Sequence, residues 1–126
     1  MNGTGANAMK VINRTRDTVL VERLQLADTF FKRLKGLLGS RGLPTGEALL
    51  IRPCNAIHMF GMRYGLDIAF VSRENVVLQT IRALQPGQTA KCPPAAYVLE
   101  LPCGALDASQ TEKGDVLEIQ EDVEGK

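Results

Sequence analysis

The chain has 126 residues, 44% hydrophobic and 23% charged, a size and composition that suit one globular domain with its own core and argue against disorder. Three widely spaced cysteines, an odd set, exclude a disulfide framework, and no apolar run approaches the roughly 20 residues of a membrane helix. The net charge of +1 lacks the strongly basic balance of a nucleic-acid binder, which argues against nucleic acid as a partner.

Residues 1–8, MNGTGANA, are small and polar and read as a disordered leader, with Met9 as an alternative start. A single domain is expected over 9–120, followed by an acidic tail over 121–126. MKVIN (9–13) and TVLVERL (18–24) are β-branched runs on either side of a turn, the pattern of a hairpin. In ADTFFKRLKGLLGSRG, Asp28 or Thr29 suits a helix cap, and Phe30, Leu34, Leu37 and Leu38 repeat at helical spacing. Gly39 suits the stop. Strands are expected over 47–52, 66–72, 76–84, 97–101 and 116–120. The stretch 85–96 is a Pro/Gly loop, and 104–111 is a loop or short helical turn. The sum is an α+β, β-dominated compact domain of about seven strands, sheet or barrel-like, with one amphipathic helix.

The charge is uneven. Residues 1–63 hold ten Lys/Arg against four Asp/Glu, and residues 64–126 hold five against ten. Two oppositely charged halves folding against each other is the simpler reading; a basic face for an anion is the other. Lys32, Arg33, Lys35 and Arg41 read as the solvated side of the amphipathic helix.

Four stretches carry a resemblance: GLLGSRG (36–42), HMFGMRYGLDIAFV (58–71), YVLELPCG (97–104) and KGDVL (113–117). In this order and spacing the chain resembles the bacterial and archaeal domain-of-unknown-function family 192 from about Val19 to Ile119. The resemblance implies a compact β-rich domain with one helix and implies no activity. Gly65 stands where the family often has proline, and Cys103 where it often has alanine, which argues against a functional Cys103 thiol. Many members look exported. With three free thiols and no signal peptide, this chain is expected in the cytoplasm.

The chemistry concentrates in CNAIHMFGMRYGLDIAFV, residues 54–71, which contains the only histidine. As a ligand site, Arg63 would hold an anion, His58 would give a hydrogen bond, and Phe60 with Met62 would give apolar contact, with Asp67 alongside. As a catalytic site, His58 and Asp67 would form an acid–base pair. As a soft-metal site, Cys54, His58 and Met62 would be the ligands, but a structural zinc site wants paired Cys/His spacings that are missing here. Each residue also has a plainer job. Methionines fill core gaps, Gly61 and Gly65 supply unusual backbone angles in a turn, and Asp67 accepts backbone N–H bonds. KCPP at 91–94 is expected to expose the Cys92 thiol in a loop. The reading favours a non-enzymatic binding module for a small anionic ligand or a protein partner, with no cofactor and no membrane. The enzyme is the alternative, and soft-metal binding the third.

Overall fold

The computed structural model describes residues 8–27 and 42–122. The strands are β1 (Ala8–Asn13), β2 (Thr18–Val21), β3 (Arg23–Ala27), β4 (Glu47–Ile51), β5 (Ala56–His58), β6 (Leu66–Val71), β7 (Val77–Leu84), β8 (Thr89–Lys91), β9 (Tyr97–Leu101) and β10 (Leu117–Asp122); one helix, α1 (Ala105–Ser109), precedes β10. A five-stranded sheet has the order β3-β4-β9-β6-β7, a three-stranded sheet the order β10-β1-β2, and β5 pairs with β8 as a two-stranded ribbon. All pairings are antiparallel except β3 with β4.

The sequence dictates which strands are central. LDIAFV and YVLEL are nearly unbroken apolar runs, and every residue of β6 and β9 is buried. Such strands need cover on both faces of the sheet. On one face, Leu50, Ala69, Val71, Leu99 and Leu101 meet Val11, Val21 and Leu117 of the smaller sheet and Leu106 of α1. On the other, Leu49, Ile68, Phe70 and Val98 meet Ile57, Met59, Met62 and Cys92 around the β5–β8 ribbon.

Three expectations change. First, the described residues hold ten strands rather than about seven. TVLVERL is two strands, because the chain breaks at Glu22; β2 joins the small sheet and β3 the large one. The 85–96 loop contains β8, and β5 is new. Both are three residues long, too short to show a period. Second, Gly61 has φ +81°, but Gly65 does not have positive φ. A Cβ on Gly65 would lie 2.6 Å from Gln85 Nε2 and 3.1 Å from the Leu84 carbonyl oxygen, so close approach explains that glycine. Third, Cys92 is buried rather than exposed. The helix expected from Asp28 or Thr29 to Gly39, with its basic face, lies outside the described residues.

The two charge halves do meet. Arg14 pairs with Glu118 at 3.1 Å, and Arg16 pairs with Glu112 at 3.2 Å and Asp115 at 3.0 Å. Asp115, in the closing Gly-Asp turn, is 2% exposed, and its Oδ2 accepts from Asn13 Nδ2, Arg16 Nε and the Glu112 N–H. Burial pushes this carboxyl up, but the bonds from Arg16, Asn13 and Glu112 outweigh it and hold it below the usual carboxylate range.

Candidate functional site

The site begins with a turn. Met59, Phe60, Gly61 and Met62 close on a bond from the Met62 N–H to the Met59 carbonyl (3.2 Å), with Gly61 at φ +81°. A positive φ at the third position is the type II arrangement, which glycine adopts without steric cost. Both corner methionines turn into the core, at 0% and 7% exposure, and the tip residue Phe60 is left 58% exposed. Its ring stacks on His58, centroids 4.9 Å apart at 27°.

The ribbon sets what stands beside that pair. His58 is registered with Thr89, Ile57 with Ala90, and Ala56 with Lys91. Directly paired residues share a face, so Ile57 enters the core while Ala56, His58, Thr89 and Lys91 form the other face. The ladder continues through the Met59 N–H to the Gln88 carbonyl (2.8 Å) and the Gly87 N–H to the Met59 carbonyl (2.9 Å). A second turn, Gln85–Gln88, closes it with Pro86 at its second position and Gly87 at φ +85°. Along the ribbon runs a cleft of about 600 Å³, lined among the described residues by Ala56, Ile57, His58, Thr89, Ala90 and Lys91.

Charge is segregated around it. Neither residues 48–66 nor residues 75–99 contain an Asp or Glu; of their cations Lys91 lines the cleft, and Arg52, Arg63 and Arg82 are exposed elsewhere along the two segments. Among the described residues, Arg63 and Lys91 enter no salt bridge, whereas Arg82, also in the second segment, pairs with Asp107 at 2.7 Å.

The expected site residues therefore separate. His58 and Phe60 are in contact, and Arg63 is exposed just beyond the turn. Met62 is a core side chain. Asp67 is 1% exposed; its Oδ1 accepts the Ala83 N–H (2.9 Å), and its Oδ2 accepts those of Gly104 (3.0 Å) and Leu106 (3.1 Å). It is the N-terminal cap of α1, supplied from β6 because Gly104 has no side chain to do it. Opposite it β7 bulges: Leu66 faces Leu84 and Ile68 faces Ile81, so Arg82 and Ala83 both stand against Asp67, and Ala83 takes φ +53°. The Cys54 thiol donates to the Ala56 carbonyl (3.0 Å). Among the described residues, no three His, Cys, Asp or Glu side chains gather into a set that could hold a metal ion.

Sequence reasoning did not assign Thr89 and Lys91 to the site, because only the β5–β8 register brings them beside His58. It also passed over Glu100, a fully buried carboxylate between Leu49 and Ile68 in the sheet. Its place in YVLELPCG was the one available signal. Cys103 is exposed, and its thiol is pushed up, first by burial and then by the Asp67 charge, which suits an unreactive thiol. No helix among the described residues is long and apolar enough to cross a membrane.

Comparison with known proteins places this geometry among relatives. The family described as "Uncharacterized ACR", domain of unknown function 192, matches residues 11–119. A UPF0127 protein of Thermococcus sibiricus is 32% identical over 118 residues, spanning 89% of this chain and 77% of that one. A UPF0127 protein of Pyrococcus furiosus is 27% identical over 114 residues, spanning 86% and 96%. A crystal structure of a protein of unknown function from Novosphingobium aromaticivorans superposes with a TM-score of 0.73 at 24% identity, covering 88% of this chain and 83% of that one. One of a candidate transcription regulator from Sinorhizobium meliloti gives 0.72 at 22% identity, covering 90% and 93%. These two likenesses establish the β-rich fold.

Proposed function

The chain belongs to the family of domain of unknown function 192, and on that premise we propose that it is a binding module for a small anionic ligand seated along the β5–β8 ribbon. The observation that carries this reading is the absence of any carboxylate from residues 48–66 and 75–99, the two segments that build the cleft. Cations without acidic neighbours keep their field for a ligand. Lys91 and Arg63 supply the charge, Thr89 a hydroxyl, and His58 with Phe60 a ring wall. Met62 anchors the turn from below and Asp67 locks β6 to α1 and β7, so both act on the site through the fold.

Binding is better supported than the His58/Asp67 acid–base pair, because three backbone N–H groups already hold the Asp67 carboxylate. It is better supported than the soft-metal set, because Met62 is packed in the core. A cytoplasmic setting goes with this reading and is supported by the three free cysteines.

The test is a thermal-shift panel on the reduced full chain with phosphate, sugar phosphates, sugar acids, nucleotides, Zn²⁺ and Cu(I). A ligand at a hundredfold excess over its Kd stabilises the native state by about 2.7 kcal/mol. The expected result is a shift with one anionic class that disappears in Lys91→Gln and Arg63→Gln. A shift confined to the metals and lost in Cys54→Ser would replace this reading with metal binding. A flat panel would count against a small-molecule ligand and in favour of a protein partner.

A further inference from the structure

We infer that the anion carries a planar ring, so that the ligand class is an aromatic or heteroaromatic phosphate or carboxylate. This rests on the binding reading above and deepens it.

The first observation is Phe60. It belongs to neither core cluster and is 58% exposed at the tip of a turn whose two methionine corners do all the burying. The fold gains little from a phenyl ring there. The ring is nonetheless held in place, stacked on His58 with centroids 4.9 Å apart at 27°. A supported aromatic face that is still wet is a stacking platform, since a second ring covers it without ordering a flexible side chain.

The second observation is the space next to it. Gly87 bonds back to Met59, the residue before Phe60, and nothing lies within 4 Å of where a Cβ on Gly87 would stand. The turn that closes the ribbon at Gly87 is thus open to solvent on that side.

The third is spacing. The Ala56–Lys91 rung lies two residues along the ribbon from the His58–Thr89 rung. At about 3.4 Å per residue the Lys91 rung stands roughly 7 Å along the ribbon from the His58 rung, against which Phe60 stacks. That separation matches a flat ring with a phosphate or carboxylate a few bonds away. A cleft of about 600 Å³ accommodates a molecule of that size.

The experiment is titration calorimetry of the reduced full chain with matched pairs: AMP and GMP against ribose 5-phosphate, and indole-3-acetate against acetate. The expected result is that at least one ring-bearing anion binds about tenfold more tightly than its ring-free partner. In Phe60→Leu, which keeps apolar bulk at an exposed position, that preference should disappear, the ratio of the two dissociation constants falling to about one. In Lys91→Gln both members of the pair should weaken. Far-UV circular dichroism of each variant checks the fold. Equal affinity within every pair, unchanged by Phe60→Leu, would overturn the ring and leave the anion reading standing. No heat with any member, ring-bearing or ring-free, would overturn both.

Discussion

Replacing Asp67 with asparagine tests whether this carboxylate holds the fold or serves chemistry. The three N–H groups it accepts, from Ala83, Gly104 and Leu106, lie at 2.9, 3.0 and 3.1 Å, and the side chain is 1% exposed. Asparagine has nearly the same volume but one acceptor oxygen. Turned either way, it sets its NH₂ group against the Ala83 N–H or against the Gly104 and Leu106 pair. One buried donor left unmade costs about 1–3 kcal/mol, and the surviving bonds lose their charge assistance, so the sum is about 2–4 kcal/mol. Against a stability of about 5–15 kcal/mol for a domain, the variant remains folded and measurable. Asp67→Ala, which orphans all three donors, should cost about 3–5 kcal/mol. The assay is urea unfolding followed by far-UV circular dichroism, with the slope m unchanged and the midpoint lowered. A double variant adds a local check. Ala83 at φ +53° is in a conformation that costs an L-residue about 1–2 kcal/mol, so Ala83→Gly should restore part of the loss by freeing the bulge. Wild-type stability in Asp67→Asn, within about 0.5 kcal/mol, would refute the reasoning and return Asp67 to the list of functional groups.

Three further outcomes follow from the geometry. Asp115 titrates lower in the folded chain than in the unfolded one, so its stabilisation is complete above the unfolded carboxyl value of about 4 and is lost as pH falls through the lower folded value; Asp115→Asn should be destabilised at pH 7 by about 1–3 kcal/mol and show a flatter stability profile below about pH 4, as read by urea midpoints across pH. Gly65→Ala should cost about 1–2 kcal/mol, because its Cβ meets both Gln85 Nε2 and the Leu84 carbonyl, and Gln85→Ala should recover only the share due to the flexible side chain; full recovery would show that the carbonyl contact is harmless. Maleimide labelling followed by mass spectrometry should modify exposed Cys103 before half-buried Cys54, with buried Cys92 reacting only on unfolding, and Cys103 should react more slowly at pH 7 than a free peptide thiol because its own is pushed up.

The strands that make the sheet were legible because they are long apolar runs: EALLI, LDIAFV, VVLQTIRAL and YVLEL fall where the pattern puts them, to within a residue or two. The break at Glu22 was not, since nothing in TVLVERL marks the point where a chain leaves one sheet for another; the partner strand decides it. The three-residue strands β5 and β8 exist only through each other, so no local pattern could announce them. The site followed the same rule. His58, Phe60 and Arg63 could be named from one stretch of chain, whereas Lys91 and Thr89 needed a register spanning some thirty residues. Met62 and Asp67 looked like site residues because they sit in the polar-looking motif, but the turn sends Met62 into the core, and Asp67, in a strand buried throughout, caps α1.

The pairing of β1 with β10 joins the first described strand to the last, down to Ala8 beside Asp122. During synthesis, β1 has only β2 to bond until Leu117 leaves the ribosome, roughly a hundred residues later. At about 5–20 residues per second, the open hydrogen-bonding edge of β1 waits between 5 and 20 s for its partner. The small sheet is therefore the last part of the molecule to close. A nascent chain held by a chaperone over its first two strands would lose nothing native by the delay.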